Sequence, residues 1–149
     1  MNPASEPDRL PPPVPAPGYG PVLLKDRPIV GISACCAGCA VRYNGKSLDV
    51  LKALGREKMD FIWQPVCPEC MAGLGVPRDP VHVVGESGAA VWTGAAEVKG
   101  RGGRKVGPQM MEGCRACLDA LRRSGTRAFV YMDGSPSCGV YRTTLKDRK

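Results

Sequence analysis

From residue 28 onward, short apolar runs alternate with amphipathic and Gly/Pro-rich stretches, and that alternation predicts an α/β order. Pro28-Ile29-Val30-Gly31-Ile32-Ser33-Ala34 is a continuous apolar run of the kind that fills a buried parallel strand. Ser47 is a candidate N-cap for a helix carrying Leu48, Val50, Leu51 and Leu54 and closing near Gly55. Residues 60–66 read as a second strand, and residues 81–84 and 96–98 as short strands between Gly-rich turns. Pro108 opens the strongest helix, running to about Arg123, with Met110, Met111, Cys114, Cys117, Leu118 and Leu121 recurring on one face and Gly125 as its cap. Residues 128–132 form the last clear strand. With right-handed crossovers, this order predicts a single Rossmann-like three-layer α/β domain with a mainly parallel sheet.

The pattern also divides the chain. Residues 1–27 carry Pro11-Pro12-Pro13-Val14-Pro15-Ala16-Pro17-Gly18 and read as a Pro-rich disordered tail, with an SH3-like ligand as the sharper alternative. Residues 28–149 form the α/β domain. Aliphatic residues must fill most of its interior, because aromatic content is only 5%. No run approaches the roughly 18 apolar residues of a membrane span, and no secretory h-region is visible, which predicts a cytoplasmic protein without a membrane partner. The net charge of +7 favours anionic ligands. That excess is scattered and no RNA-binding motif accompanies it, which argues against nucleic acid.

Eight cysteines change the picture more than the charge does. In a reducing compartment, clustered cysteines point to metal or redox chemistry rather than disulfides. Cys35, Cys67 and Cys138 each follow a predicted strand, within Ser33-Ala34-Cys35, Pro65-Val66-Cys67-Pro68-Glu69 and Ser135-Pro136-Ser137-Cys138-Gly139. Strand ends of a parallel sheet lie along one edge, where ligands bind. Three thiolates meeting there suggest a metal or iron–sulfur site with one coordination position open. Cys114 and Cys117 are accounted for by helical periodicity as core residues. The loop pairs Cys36/Cys39 and Cys67/Cys70 offer a rival, a closed tetrahedral zinc site in a non-enzymatic binding module. A thioredoxin-like reading is weaker, since no CxxC is expected to open a helix directly after a strand with the small, unpaired surroundings of such a motif.

These three motifs resemble those of the thiouracil desulfidase family. Ser33-Ala34-Cys35, Gly38 and Arg42-Tyr43-Asn44-Gly45-Lys46 are similar to its opening motif. Pro65-Val66-Cys67-Pro68-Glu69, with Gly73-Leu74 and Pro77-Arg78, is similar to its second motif, and Ser135-Pro136-Ser137-Cys138-Gly139 to its third. The resemblance covers about residues 28–142. It implies an oxygen-sensitive 4Fe–4S cluster held by Cys35, Cys67 and Cys138, with the fourth iron free for the sulfur of a thiolated uracil or thiouridine nucleotide. The chain departs from the family pattern at Val41, where a second cysteine is usual, and at Cys70. The family generally continues beyond its third motif, so the chain is expected to be shortened at its C-terminus, with a partner chain or second copy as one way to complete the domain.

A reaction follows as an expectation: the open iron polarises the carbon–sulfur bond, water attacks the ring carbon, and sulfide leaves. Glu69 is the candidate general acid/base, with Ser135 and Ser137 as hydrogen-bond donors to substrate or cluster sulfur. Arg42, Lys46 and Arg78 are candidates to hold a nucleotide phosphate, and Tyr43 to stack on the base. Loading of the cluster implies contact with iron–sulfur assembly machinery. His82 has no partners in sequence and is expected to be structural.

Overall fold

A computed structural model describes residues 27–140 and the backbone of a strand at Leu145–Lys146. The predicted Pro-rich tail lies, but for Arg27, outside the described residues. The same is true of most of the segment after Val140, where the shortened C-terminus was expected.

The apolar run at the start becomes β1 (Ile29–Ser33), and residues 60–66 give β2 (Ile62–Val66). β5 (Ala128–Val130) completes a three-stranded sheet in the order β2-β1-β5, with β1 parallel to both neighbours. The chain leaves β1 toward β2 and returns on the other side with β5. The strand order therefore reverses at β1, where open α/β sheets form their ligand crevice. Val30 and Ala34 are buried and Ile32 is fully so, which anchors the central strand.

The remaining short strands do not extend that sheet. β3 (His82–Val84) pairs antiparallel with β4 (Glu97–Lys99) and parallel with β6 (Leu145–Lys146), forming a separate three-stranded sheet. Val81, Val83, Ala96, Val98, Val106 and Met110 pack there into one buried cluster, whose burial stabilises the fold by roughly 25 cal/mol per Å² of apolar surface removed from water.

Helix α3 (Gly107–Arg123) ties the two sheets together. It begins with Pro108 in its first turn and ends at Ser124 and Gly125, whose φ of +73° suits glycine. Its buried face consists of Gly107, Met110, Gly113 and Cys117, whereas Leu118, expected on that face, is exposed. Two glycines permit its close approach. A Cβ on Gly31 would lie 2.7 Å from the Leu121 side chain, and one on Gly113 would lie 2.3 Å from the carbonyl oxygen of Pro68.

The helix expected after Ser47 is instead a run of 3-10 turns over Val50–Asp60, broken at Gly55, where φ is +55°. None of its residues is buried, and Leu48, Val50 and Leu54 stay largely exposed. Leucine spacing alone does not hold a helix with no core to receive its face. Two shorter helices were not anticipated: α1 (Pro68–Met71) and α2 (Gly88–Trp92), the latter capped by Ser87 Oγ accepting from the Ala90 amide. Among the described residues no helix is long and apolar enough to cross a membrane.

Candidate functional site

Because both neighbours of β1 run parallel to it, three loops leave the sheet at the same edge. The first tightens immediately after β1: the Ala34 amide donates to Val66 O, and the Cys36 amide to Ser33 O, both at 2.8 Å. The second passes directly from β2 through Cys67 into α1. The third, residues 132–139, follows β5 and folds on itself, with the Cys138 and Ser137 amides donating to Ser135 Oγ and the Gly139 amide to Ser135 O.

Together the loops enclose a pocket of about 380 Å³, a size suited to a small ligand. Of the ten residues singled out from the sequence, nine border it: Cys35, Cys67 and Cys138, with Arg42, Tyr43, Glu69, Arg78, Ser135 and Ser137. Lys46 does not. It closes the Arg42–Lys46 turn, its amide bonded to Asn44 Oδ1, and is exposed. His82 sits on β3, outside the pocket lining.

The three thiols feel one another across this pocket. Burial, then the charge of adjacent Cys36, pushes Cys35 up to about 11, with Cys67 adding to the effect and Arg42 opposing it. Burial likewise raises Cys138, partly offset by the Ser33 and Ser137 hydroxyls beside its sulfur, while Cys67 and Cys35 raise it further. In the metal-free protein Cys35 and Cys138 are therefore neutral thiols at neutral pH, and any metal must displace their protons. Among the described residues no three His, Cys, Asp or Glu side chains converge on a single point of the kind one metal ion needs. Three soft sulfur donors around one pocket, with hydroxyls beside the sulfurs, have the donor chemistry of an iron–sulfur site.

Glu69 lies beside the thiols in a tightly held network. It occupies the first turn of α1 and is buried. Its Oε2 accepts from Arg78 Nε at 2.6 Å and its Oε1 from Ser137 Oγ at 3.0 Å. Ser135 Oγ lies 3.2 Å from Ser137 Oγ; because Ser137 gives its proton to Glu69, Ser135 donates to Ser137. A hydroxyl relay therefore runs from Ser135 through Ser137 to the carboxylate. Arg78 was expected to hold a phosphate, but its guanidinium is committed to Glu69, to Gly75 O at 2.9 Å and to Cys70 Sγ at 3.9 Å. Its amide also donates to Tyr43 O, bracing the first loop against the second.

Sequence reasoning missed Ser33 as a functional position. Its buried hydroxyl accepts from the Met132 amide at 3.1 Å and donates to Cys138. The only signal was its place two residues before Cys35. It also missed that Cys67-Pro68-Glu69-Cys70 does open a helix directly after a strand, with Cys67 as the N-cap of α1. That corrects the placement of this pair relative to strand and helix, although the Arg78–Glu69 ion pair stands beside it. Cys117 is buried in the core as expected, yet it touches the site: the Cys67 amide donates to its sulfur.

The family model for 2-thiouracil desulfurase matches residues 30–149. The uncharacterized protein YbbK of Bacillus subtilis strain 168 is 30% identical over 123 residues, spanning 79% of this chain and 80% of that protein. Among solved structures, the 4Fe–4S-dependent thiouracil desulfidase TudS is similar at a TM-score of 0.59 and 30% identity, over 76% of this chain and 70% of that one.

Proposed function

Because the chain belongs to the 2-thiouracil desulfurase family, we propose that it is an iron–sulfur-dependent desulfidase that removes sulfur from a thiolated uracil or thiouridine nucleotide. The observation that carries this reading is the gathering of Cys35, Cys67 and Cys138 with Glu69 and the two serines around one pocket at the reversal point of a parallel sheet. In this reading those three cysteines hold a 4Fe–4S cluster. When bound, it supplies a thiophilic Lewis acid for the thiocarbonyl sulfur.

The chain's own residues supply the rest. Glu69 takes a proton from the water that attacks the ring carbon, and the Ser135–Ser137 relay exchanges protons with its Oε1. Water and thiocarbonyl become carbonyl and hydrogen sulfide, with no net redox change. Arg78 keeps Glu69 aimed into the pocket rather than binding substrate. Arg42, at the pocket wall beside Cys35, meets an anionic group of the substrate, and the half-exposed Tyr43 ring offers a stacking face at the mouth. Lys46 lies outside the wall and reaches only a phosphate projecting from it. The domain doing this spans residues 28–149, in a cytoplasm that keeps its thiols reduced and provides iron–sulfur assembly machinery.

The test is anaerobic purification, iron and acid-labile sulfide analysis, and a sulfide-release assay on thiouracil and thiouridine monophosphate. Cluster content that disappears in Cys35→Ala, Cys67→Ala and Cys138→Ala, together with release of sulfide by the parent, is expected. Zinc without labile sulfide would overturn the reading in favour of a binding module.

A further inference from the structure

Helix α1 places a second thiol against one of the proposed cluster ligands. Cys67 is the N-cap of α1, with extended backbone (φ −138°, ψ 105°), and Cys70 stands three residues further on. Side chains at the N-cap and at the third helical position face each other, which is the geometry that capping boxes exploit. Pro68, at the first helical position, fixes the turn between them. The Cys70 thiol faces the Cys67 sulfur as a hydrogen-bond donor, which places the two sulfurs on the same side of the turn. Both cysteines are free and half-buried, within reach of small reagents, and Arg78 Nη1 lies 3.9 Å from Cys70 Sγ.

The other close cysteines are worse placed. Cys36 is buried and adjacent in sequence to Cys35, where a bridge strains the intervening peptide. Cys114 and Cys117 lie within one regular helix, and Cys117 is buried under the site.

We propose that Cys67 and Cys70 form a reversible disulfide in the metal-free protein, and that this bond bars cluster assembly until it is reduced. The oxidant is a low-molecular-weight disulfide of the glutathione class. The thiolate of Cys67 attacks it, forming a mixed disulfide and expelling one small thiol. The Cys70 thiolate then attacks the Cys67 sulfur, breaking the mixed disulfide and expelling the second small thiol. Overall two protein thiols lose two electrons and two protons, and the small disulfide gains them. A dithiol reverses the exchange. The bond itself follows from the geometry of α1; its consequence for iron rests on the reading of Cys67 as a cluster ligand, because an oxidised Cys67 has no thiolate to give.

The experiment uses the full chain, stripped of metal, incubated anaerobically with oxidised glutathione, alkylated and cleaved after Glu69 for mass spectrometry. A Cys67–Cys70 linked pair two hydrogens lighter than the reduced peptides is expected, lost on treatment with dithiothreitol. Iron and sulfide uptake by the oxidised protein should fall by about ten-fold relative to the reduced protein. Cys70→Ala should instead retain a glutathione adduct on Cys67 while loading normally when reduced. Pairing of Cys67 with any other cysteine, absence of the pair, or full iron uptake by the oxidised protein overturns the proposal. The two readings fail separately: normal loading of the parent without the Cys67–Cys70 bond removes only the switch, whereas full cluster content in Cys67→Ala removes the ligand assignment.

Discussion

The two three-stranded sheets of this chain divide its labour. The parallel sheet β2-β1-β5 carries the candidate site at its strand ends, yet its outer strand β5 is exposed along its length, and β2 contains Gln64 and Pro65. Among the described residues no strand residue of the mixed sheet β4-β3-β6 lines the pocket, which Pro80 and Val81 border just before β3, but with Val81, Val106 and Met110 that sheet forms the buried aliphatic cluster. The aliphatic cluster thus lies in the second sheet, while Val30, Ile32 and Ala34 bury the central strand of the first. A site built from polar loops gives up apolar burial, and a neighbouring core makes up for it.

That contrast can be broken from either side. The largest effect is expected from Glu69→Gln, which keeps the side chain's shape but removes its basicity. Sulfide release per cluster should fall by about 10²–10⁴-fold with iron content retained. A rate within a few-fold of the parent would remove Glu69 from the chemistry. Met110→Ala strikes the other sheet, where Met110 is buried beside Val83 and Val106. Denaturant unfolding should show a loss of about 2–5 kcal/mol, with the rate per cluster of the folded protein unchanged. If that rate drops in parallel, the two regions are not separable.

Gly113→Ala tests the seam between them. The added methyl would press on Pro68 O and on the Ala72 amide and side chain, displacing the short helix that carries Glu69 and Cys70. Overpacking should cost about 1–3 kcal/mol in unfolding experiments, accompanied here by a loss of rate per cluster that Met110→Ala does not show. The smallest effect concerns pH. Burial, with the charge of Cys114 second, raises Cys117 from 9.0 to about 12. The folded chain keeps this thiol neutral while the unfolded chain ionises it, so its contribution to stability is complete below pH 9 and fades as pH rises toward 12. Thermal melts of the metal-free protein should decline over that window, and the decline should be shallower in Cys117→Ala.

Where local signals were strong, the fold was legible. The apolar runs of β1 and β2 and the amphipathic stretch of α3 appear within a few residues of their expected positions. The division into two sheets was not legible, because β3, β4 and β5 are three residues long and their pairing is decided by distant partners. Helix α1 is too short for periodicity, although Pro68 marked its start. Leu48, Leu51 and Leu54 carried a helical spacing that Gly55 and the lack of a receiving core defeat. At the site, the motifs named the residues around the pocket, but no pattern could show that Arg78 would spend its guanidinium on Glu69, nine residues away across a loop.

That ion pair has a consequence for behaviour in salt. The side chains of Arg78 and Glu69 are only 6% and 10% exposed, so dissolved ions cannot enter between them, whereas Glu97 pairs with Lys99 and Lys105 in open water. Added electrolyte screens exposed charges over about 8 Å at physiological strength but leaves a dry pair largely untouched. Raising ionic strength should therefore weaken the capture of an anionic substrate at the pocket mouth and leave the turnover of bound substrate nearly constant. On the proposed reading, tolerance of salt is then set at the pocket's entrance and not at its buried carboxylate.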